Sequence, residues 1–145
     1  MAKGRILLAH ANSDCQKIYG SVLVYEGYDV DVADDVESAL AFISGAPVDL
    51  VVTDLYLPSE ADECLVRRLR SSSIASHLPV IVLTGWTTEL HRQMAFDEGA
   101  DRFLALPLRP RELVAMVTET LGESKELRPS VPSAPYRDQS VANGI

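Results

Sequence analysis

The apolar residues of this chain follow two kinds of spacing that alternate along its length. Short continuous or alternating apolar runs, which are typical of strands, fall at residues 6–9, 29–33, 48–53, 79–83 and 103–106. Between them, apolar residues recur every three or four positions, as they do in amphipathic helices. Five strands alternating with five helices predict an α/β fold with a parallel sheet covered on both faces. Right-handed crossovers then favour the doubly wound strand order 2-1-3-4-5.

Capping residues indicate where the first two helices begin. Asn12 is expected to cap the first helix, and Asp34 with Glu37 resembles a capping box that opens the second helix. The first helix is expected to turn one set of residues toward the sheet: Cys15, Ile18, Tyr19, Val22 and Leu23. The last helix is expected to begin at Pro110, a residue favoured at the first helical position.

One carboxylate follows the most apolar of the predicted strands. Leu50, Val51 and Val52 form a run that fits a strand buried on both faces of a sheet, and Asp54 comes shortly after it. Because a carboxylate is costly to bury, and because open α/β sheets bind ligands at the carboxyl ends of their strands, Asp54 is the first candidate functional residue. A helix-capping or turn aspartate is the alternative, since Pro58 indicates a turn nearby.

Composition and charge narrow the class of protein. Of the 145 residues 47% are hydrophobic and 23% are charged, and no apolar run approaches the ~18 residues of a membrane span. No signal-peptide pattern precedes the first strand, so a cytoplasmic location is expected. The formal net charge of −8 argues against binding to nucleic acid or to an anionic membrane, and it favours protein partners. Cys15 and Cys64 form no C-x-x-C unit, so two reduced thiols are expected.

The end of the chain differs in composition from the rest. From Glu123 onward, proline and serine fall among charged residues with few apolar groups. Such a segment has too little apolar surface to form a core. We therefore expect one domain over residues 1–122 and a Pro/Ser-rich tail over residues 123–145, which is a linker or a disordered end.

Three motifs connect the chain with a known family. They are V-D-L-V-V-T-D-L-Y-L-P at residues 48–58, P-V-I-V-L-T-G at residues 79–85 and G-A-D-R-F-L-A-L-P at residues 99–107. With them, the chain resembles the receiver domain of bacterial two-component response regulators, which has a CheY-like, flavodoxin-like fold. The resemblance implies a phosphoprotein of a phosphorelay in which Asp54 accepts a phosphoryl group from a histidine kinase. It also implies that Thr84 and Phe103 form the switch pair, and that the bond before Pro107 is cis.

The resemblance fails at positions that matter for phosphoryl chemistry. His10 and Ala11 stand where the family has an acidic pair that holds Mg²⁺, and Leu106 stands where it has a lysine. Mg²⁺ requires several oxygen ligands, so Asp54 and the backbone carbonyl of Tyr56 alone should hold it weakly. We therefore expect a weak Mg²⁺ site or no cofactor, and impaired Mg²⁺-dependent phosphorylation of this atypical receiver.

Several roles around Asp54 stay open at the level of sequence. His10 either forms a hydrogen-bonded or ionic pair with Asp54 that replaces the metal site, or it points into solvent. Tyr56 and Trp86 either cover the mouth of the site or contact a partner. Phe103 is equally expected as ordinary core packing.

Three functions remain. The first is a non-enzymatic receiver that signals through contacts with a histidine kinase, a downstream protein or a second copy of itself. Its expected surface is the fourth helix, fifth strand and fifth helix, with charged residues Glu89, His91, Arg92, Asp101, Arg102, Arg109, Arg111 and Glu112. The second function is an ordinary phosphoacceptor receiver. The third is a small flavin-binding or hydrolytic enzyme, which the loop after the first strand disfavours because it lacks a phosphate-binding cradle.

Overall fold

The computed structural model describes residues 2–127, with side chains through residue 123. Within this range the strands are β1 (Arg5–Ala9), β2 (Asp29–Ala33), β3 (Leu50–Thr53), β4 (Val80–Thr84) and β5 (Arg102–Ala105). The helices are α1 (Ser13–Tyr25), α2 (Val36–Gly45), α3 (Leu65–Arg70), α4 (Glu89–Glu98) and α5 (Pro110–Leu127). All strand pairs are parallel and the order is 2-1-3-4-5, which confirms the predicted doubly wound α/β fold.

The sheet separates the core into two layers of side chains. On one side α1 and α5 cover the sheet, with Leu8, Leu23 and Leu113 fully buried between them. On the other side Val51 and Leu69 belong to the layer under α2, α3 and α4. Each fully buried aliphatic side chain contributes ~1.5–3 kcal/mol relative to exposure. Because β3 and β4 are buried along their whole length, they fix the position of the residues that follow them.

The carboxyl ends of the strands meet at one edge of the sheet. Parallel register places Ala9 opposite Thr53, and the backbone N–H of Asp54 donates to the carbonyl of Ala9 at 3.1 Å. On the other side of β1, the N–H of His10 donates to the carbonyl of Ala33 at 2.9 Å. His10 and Asp54 therefore leave neighbouring strands at the same edge.

The cap of α2 differs from the predicted capping box. Asp35, and not Asp34, is the N-cap residue, because its side chain accepts the N–H of Ser38 at 2.7 Å. Glu37 does not bond back to the cap, as a capping box requires. Its carboxylate instead accepts the hydroxyl of Ser59 at 2.8 Å and thereby fastens the loop that follows β3. The prediction at Asp34 is therefore wrong.

The inner face of α1 is narrower than predicted. Tyr19 and Leu23 are buried and Cys15 and Val22 are partly buried, but Ile18 is 50% exposed. A helix turns by about 100° per residue, so Ile18 lies beside the stripe that faces the sheet. Its predicted inward position is wrong, and an aliphatic side chain is left on the surface.

The last helix extends past the predicted end of the helical pattern. α5 runs through Glu123 to Leu127, where the glutamates, lysine and leucine of the sequence are good helix formers. The remainder of the predicted tail, residues 128–145, lies outside the described residues. Across residues 2–127 no helix combines the length and the apolar character needed to cross a membrane.

Candidate functional site

Asp54 lies at the carboxyl edge of the sheet, directly after β3. Its side chain is largely buried, with 17% exposed, and Oδ1 accepts the N–H of Leu55 at 2.7 Å. It does not cap the next helix, since the N-cap of α3 is Cys64. Burial, and then the negative charge of Asp54, raise the pKa of Cys15 on α1. The carboxylate is thus a partly accessible anion whose field reaches the neighbouring helix.

The imidazole of His10 fills the space beside this carboxylate. His10 is only 2% exposed, so the alternative in which it points into solvent is wrong. Its Nε2 lies 3.2 Å from the carbonyl oxygen of Leu83 and 3.6 Å from Oδ2 of Asp54. The second distance is too long for a hydrogen bond. The contact between His10 and Asp54 is therefore electrostatic, while the hydrogen bond of Nε2 goes to Leu83.

The hydrogen-bond partners of His10 select one tautomer. The backbone N–H of Asn12 points at Nδ1 at 3.3 Å, which makes Nδ1 an acceptor. Nε2 then carries the proton and donates to the carbonyl of Leu83. A doubly protonated ring would set one N–H against the N–H of Asn12. The arrangement therefore directs the Nε2–H group to Leu83, with the carboxylate of Asp54 beside it.

Gln16 holds the backbone of His10 in place through a contact that the sequence did not predict. Its side-chain amide donates to the backbone carbonyl of His10 at 2.5 Å. Asn12 caps α1 by accepting the N–H of Cys15 at 2.9 Å, and this bond fixes the first turn of the helix next to His10. The only signal in the sequence was the spacing of four residues between the cap and Gln16, which places both at the same end of one helix face.

Thr84 and Leu106 border the site on the other side. Thr84 is fully buried, and its Oγ1 accepts the N–H of Trp86 at 3.2 Å. The N–H of Leu106 donates to the carbonyl of Thr84 at 2.9 Å, while the Leu106 side chain packs into the layer under α1 and α5. The peptide bond between Leu106 and Pro107 is cis, as the resemblance implied.

The remaining predicted residues are placed as follows. Phe103 is partly buried and packs against the layer under α2, α3 and α4, as core packing requires. Ala11 is exposed in the loop after β1 and offers no side-chain ligand. Within residues 2–127 no three His, Cys, Asp or Glu side chains are grouped so that they could hold a metal ion.

Three aromatic rings form a cluster at the rim of the sheet edge. The ring of Tyr56 meets Trp86 and His91 edge-on, with centroids 5.4 and 5.8 Å away, and Trp86 lies 5.3 Å from His91. His91 is held by a 2.6 Å hydrogen bond between its Nδ1 and the hydroxyl of Thr88. Tyr56 and Trp86 remain about half exposed. The participation of His91 was not predicted.

The fold and this site define a class of proteins: doubly wound parallel sheets with a carboxylate directly after the third strand and a threonine as the last residue of the fourth strand. The sequence profile of the response regulator receiver domain matches residues 6–118. The chain belongs to this family, whose members act in two-component signalling.

The chain is similar to several characterised receivers. It is 34% identical over 120 residues to the transcriptional regulatory protein CpxR of Klebsiella pneumoniae, covering 83% of this chain and 50% of that protein. It is 31% identical over 135 residues to the transcriptional regulatory protein AruR of Pseudomonas aeruginosa, covering 90% and 54%. The structure also resembles the receiver domain of the sensor histidine kinase PA1611 from Pseudomonas aeruginosa PAO1, at a TM-score of 0.75 and 25% identity, covering 83% of this chain and 99% of that one. That receiver domain has a magnesium ion coordinated in its active site cleft. The chain thus spans about half the length of these two regulators.

Proposed function

We propose that this receiver acts in two-component signalling through protein contacts and that its Mg²⁺-dependent phosphorylation is impaired. The observation that carries the proposal is the buried imidazole of His10, whose Nε2 lies 3.6 Å from Oδ2 of Asp54. At the position where the family has a metal-binding carboxylate, an imidazole nitrogen lies beside Asp54. The ring fills this space and offers no oxygen ligand to a metal ion.

The donors around Asp54 do not fit Mg²⁺. This ion demands near-octahedral coordination by oxygen atoms and usually needs one or two carboxylates together with phosphate. His10 presents a ring and no oxygen ligand, Ala11 presents no donor atom in its side chain, and the carbonyl of Tyr56 is the one further oxygen that the family pattern supplies. A single carboxylate beside an N–H group is a poor ligand set, so we propose weak Mg²⁺ binding or none.

A phosphoryl group on Asp54 would also lack a counter-charge. Phosphoryl transfer depends on positioning and on neutralisation of the negative charge that gathers at phosphorus. Leu106 turns an apolar side chain into the core at the position of the family's lysine. Within the described residues the nitrogen group beside Asp54 is the imidazole of His10, whose Nδ1 accepts the N–H of Asn12 and whose Nε2 bonds to Leu83. Both the formation and the recognition of an acyl phosphate should suffer.

The proposed contact surface is the face formed by α4, β5 and α5. It carries charges of both signs, such as the pair of Arg92 and Glu89 at 3.7 Å and the exposed Arg109. The proposed partners are a histidine kinase, a downstream protein or a second copy of the chain, and no role in nucleic-acid or membrane binding is proposed for this domain. We propose a cytoplasmic and non-enzymatic role, and we set the flavin-binding or hydrolytic alternative aside.

The proposal is tested by adding Mg²⁺ with beryllofluoride, which mimics a phosphoryl group, and following the fluorescence of Trp86. This residue is the only tryptophan, and its N–H bonds to Thr84 at the edge of the site. We expect no saturable change at millimolar Mg²⁺, as in the control variant Asp54→Asn. A saturable change in the native chain that Asp54→Asn abolishes would contradict the proposal.

The converse experiment restores the residues of the family pattern and should create the fluorescence response that the native chain lacks. The triple variant His10→Asp, Ala11→Asp, Leu106→Lys returns the acidic pair and the lysine, and it should acquire a saturable response. Asp54→Asn in the same background should remove that response. If the triple variant has the native far-UV circular dichroism spectrum but its Trp86 fluorescence does not change, the missing charges are not the cause of impaired phosphorylation.

The ordinary phosphoacceptor remains the second candidate. It is favoured by the partial exposure of Asp54 and by the hydroxyl of Thr84 at the end of the next strand. A response of the native chain in the fluorescence experiment would support it directly.

A further inference from the structure

One oxygen atom of the Asp54 carboxylate has no hydrogen-bond donor among the described residues. Oδ1 accepts the N–H of Leu55 at 2.7 Å, whereas the nitrogen beside Oδ2 is Nε2 of His10, at 3.6 Å. This distance is too long for a hydrogen bond, and Nε2 already bonds to the carbonyl of Leu83. The side chain of Asp54 is 17% exposed, so Oδ2 can be reached from outside. It is therefore an open acceptor at the edge of the sheet.

No lysine or arginine within residues 2–123 forms an ion pair with Asp54. The arginines of this range that form ion pairs do so with other carboxylates: Arg5 with Asp31, Arg67 with Glu98, Arg68 with Glu63, Arg70 with Asp101, Arg92 with Glu89, and Arg102 with Glu119 and Glu123. A largely buried carboxylate gains from a cationic donor. The missing counter-charge is thus left to a ligand.

The aromatic rings of the rim lie at the same edge of the sheet as this oxygen. Tyr56 follows Asp54 by two residues, which limits the separation of their Cα atoms to ~7 Å. The N–H of Trp86 bonds to Thr84 at the end of β4, the strand next to β3. The rings of Tyr56 and Trp86 stand at 88° to each other and are about half exposed. Aromatic surface is therefore open to a ligand that reaches Asp54.

We propose that this edge binds an arginine side chain of a partner protein. A guanidinium N–H donates to Oδ2 of Asp54, while the planar group packs against Trp86 or Tyr56. Arginine fits this combination because its guanidinium is weakly hydrated, donates in several directions and stacks on aromatic rings. A lysine ammonium is a compact and strongly hydrated charge, and Mg²⁺ lacks the oxygen ligands that it needs here.

This inference rests on the proposed function through protein contacts and names the chemistry of the partner. The bound guanidinium supplies the positive charge that the family obtains from its metal ion and its lysine. Because it binds the unmodified carboxylate, the contact requires no phosphorylation of Asp54. It also differs in place from the surface formed by α4, β5 and α5.

The test follows the fluorescence of Trp86, the only tryptophan, as short glycine peptides are added to the full chain. One peptide carries a single arginine, the second a lysine, and the third a citrulline, which has the shape of arginine without its charge. We expect a saturable change with the arginine peptide in the millimolar range. The lysine peptide should bind at least about threefold more weakly, and the citrulline peptide at least about tenfold more weakly.

Three variants identify the groups that bind the peptide. Asp54→Asn should abolish the saturable change, and Tyr56→Leu should weaken binding about threefold because ring surface is lost. Asp97→Asn is the matched control, since it removes an exposed carboxylate that bonds to Gln93 roughly 12 Å along α4 from its start. It should leave the affinity unchanged. Native far-UV circular dichroism spectra would show that the variants are folded.

A second readout needs no substitution. In the native chain labelled with ¹³C, the carboxyl resonance of Asp54 should shift along the same saturation curve as the fluorescence of Trp86. A carboxyl resonance that stays constant while the fluorescence saturates would place the peptide away from Asp54 and overturn the proposal.

Three further results would overturn it: equal affinity for the arginine peptide and either of the others, a saturable change that persists in Asp54→Asn, or no change at millimolar peptide. These failures are distinct from a failure of the proposed function. If the arginine peptide does not bind and beryllofluoride is also without effect, the proposed function stands without an arginine site. A beryllofluoride response that depends on Asp54 contradicts the proposed function whatever the peptides do.

Discussion

His10 sets the charge balance beside Asp54, and its replacement by aspartate reverses that balance. The imidazole nitrogen lies 3.6 Å from Oδ2, so the shorter aspartate side chain would leave the two carboxylates about 5 Å apart. At an effective dielectric constant of ~20, their repulsion amounts to ~3 kcal/mol. Because the position is almost fully buried, little water is present to reduce this cost. His10→Asp should therefore be clearly destabilised in the absence of divalent ions.

Mg²⁺ should reverse this destabilisation in the variant and not in the native chain. Two carboxylates form the kind of oxygen site that the ion prefers, whereas the native site presents one carboxylate and an N–H group. A ligand at about 100 times its dissociation constant stabilises the folded state by ~2.7 kcal/mol. The free energy of unfolding of His10→Asp should rise by about this amount between EDTA and saturating Mg²⁺, which is close to the repulsion it relieves.

The assay is urea denaturation followed by far-UV circular dichroism, with His10→Asn as the matched control. Asparagine has the shape of aspartate without the charge, so this variant loses the same imidazole contacts and should ignore Mg²⁺. The argument is refuted if the native chain gains as much stability from Mg²⁺ as His10→Asp does. Equal stability of both variants in EDTA would show that position 10 does not face Asp54.

Three further substitutions test other parts of the structure. Asp35→Ala should lower Tm by about 4 °C at neutral pH, and Asp34→Ala should leave it unchanged. The hydrogen bonds with Ser38 hold the pKa of Asp35 below its usual value. The stability that Asp35 contributes is therefore fully present above the usual pKa and is lost as the pH falls through the lowered pKa. Equal melts of both variants would contradict the assigned cap. Asp54→Asn should lower the pKa of Cys15, so iodoacetamide should alkylate this thiol faster at mildly alkaline pH. Mass spectrometry measures the alkylation, and Cys64 serves as the internal control. An unchanged rate would argue against a charged Asp54. Gly20→Ala should raise the free energy of unfolding by ~0.5–1 kcal/mol in urea, because alanine is the better helix former and its Cβ fits beside Leu8. A loss of stability would show that the space between Gly20 and Leu8 is already filled.

The strands could be predicted because pattern and burial coincide in them. Every residue of β3 and β4 is buried, so a continuous apolar run is both the signal and the structure. The helix ends could be predicted less well because single hydrogen bonds decide them. Two adjacent aspartates fit the start of α2 equally, and only the bond from Ser38 distinguishes Asp35 from Asp34. At the other end, helix-forming residues carry α5 past the predicted domain boundary at residue 122.

The site was predictable in position but not in chemistry. Asp54 follows from the rule that ligands meet the carboxyl ends of parallel strands. The orientation of His10 depends on the carbonyl of Leu83 and the N–H of Asn12, which lie on separate segments. Single hydrogen bonds between segments produce no periodic pattern in the sequence, so the orientation could not be predicted. Gln16 looks like any polar helix residue until the loop before α1 brings the carbonyl of His10 to it.

The departures from the receiver pattern compensate one another. An acidic pair without a metal ion would repel Asp54, and a lysine without the acidic pair would form a closed ion pair with it. Losing all of them together leaves Asp54 with the imidazole of His10 at 3.6 Å and with alanine and leucine at the other two positions, an arrangement that should be stable without any cation. Because each charge is acceptable only in the presence of the others, substitutions at His10, Ala11 and Leu106 must be non-additive. Restoring the lysine alone should bind Asp54 more firmly, and only joint restoration should free it for phosphoryl chemistry.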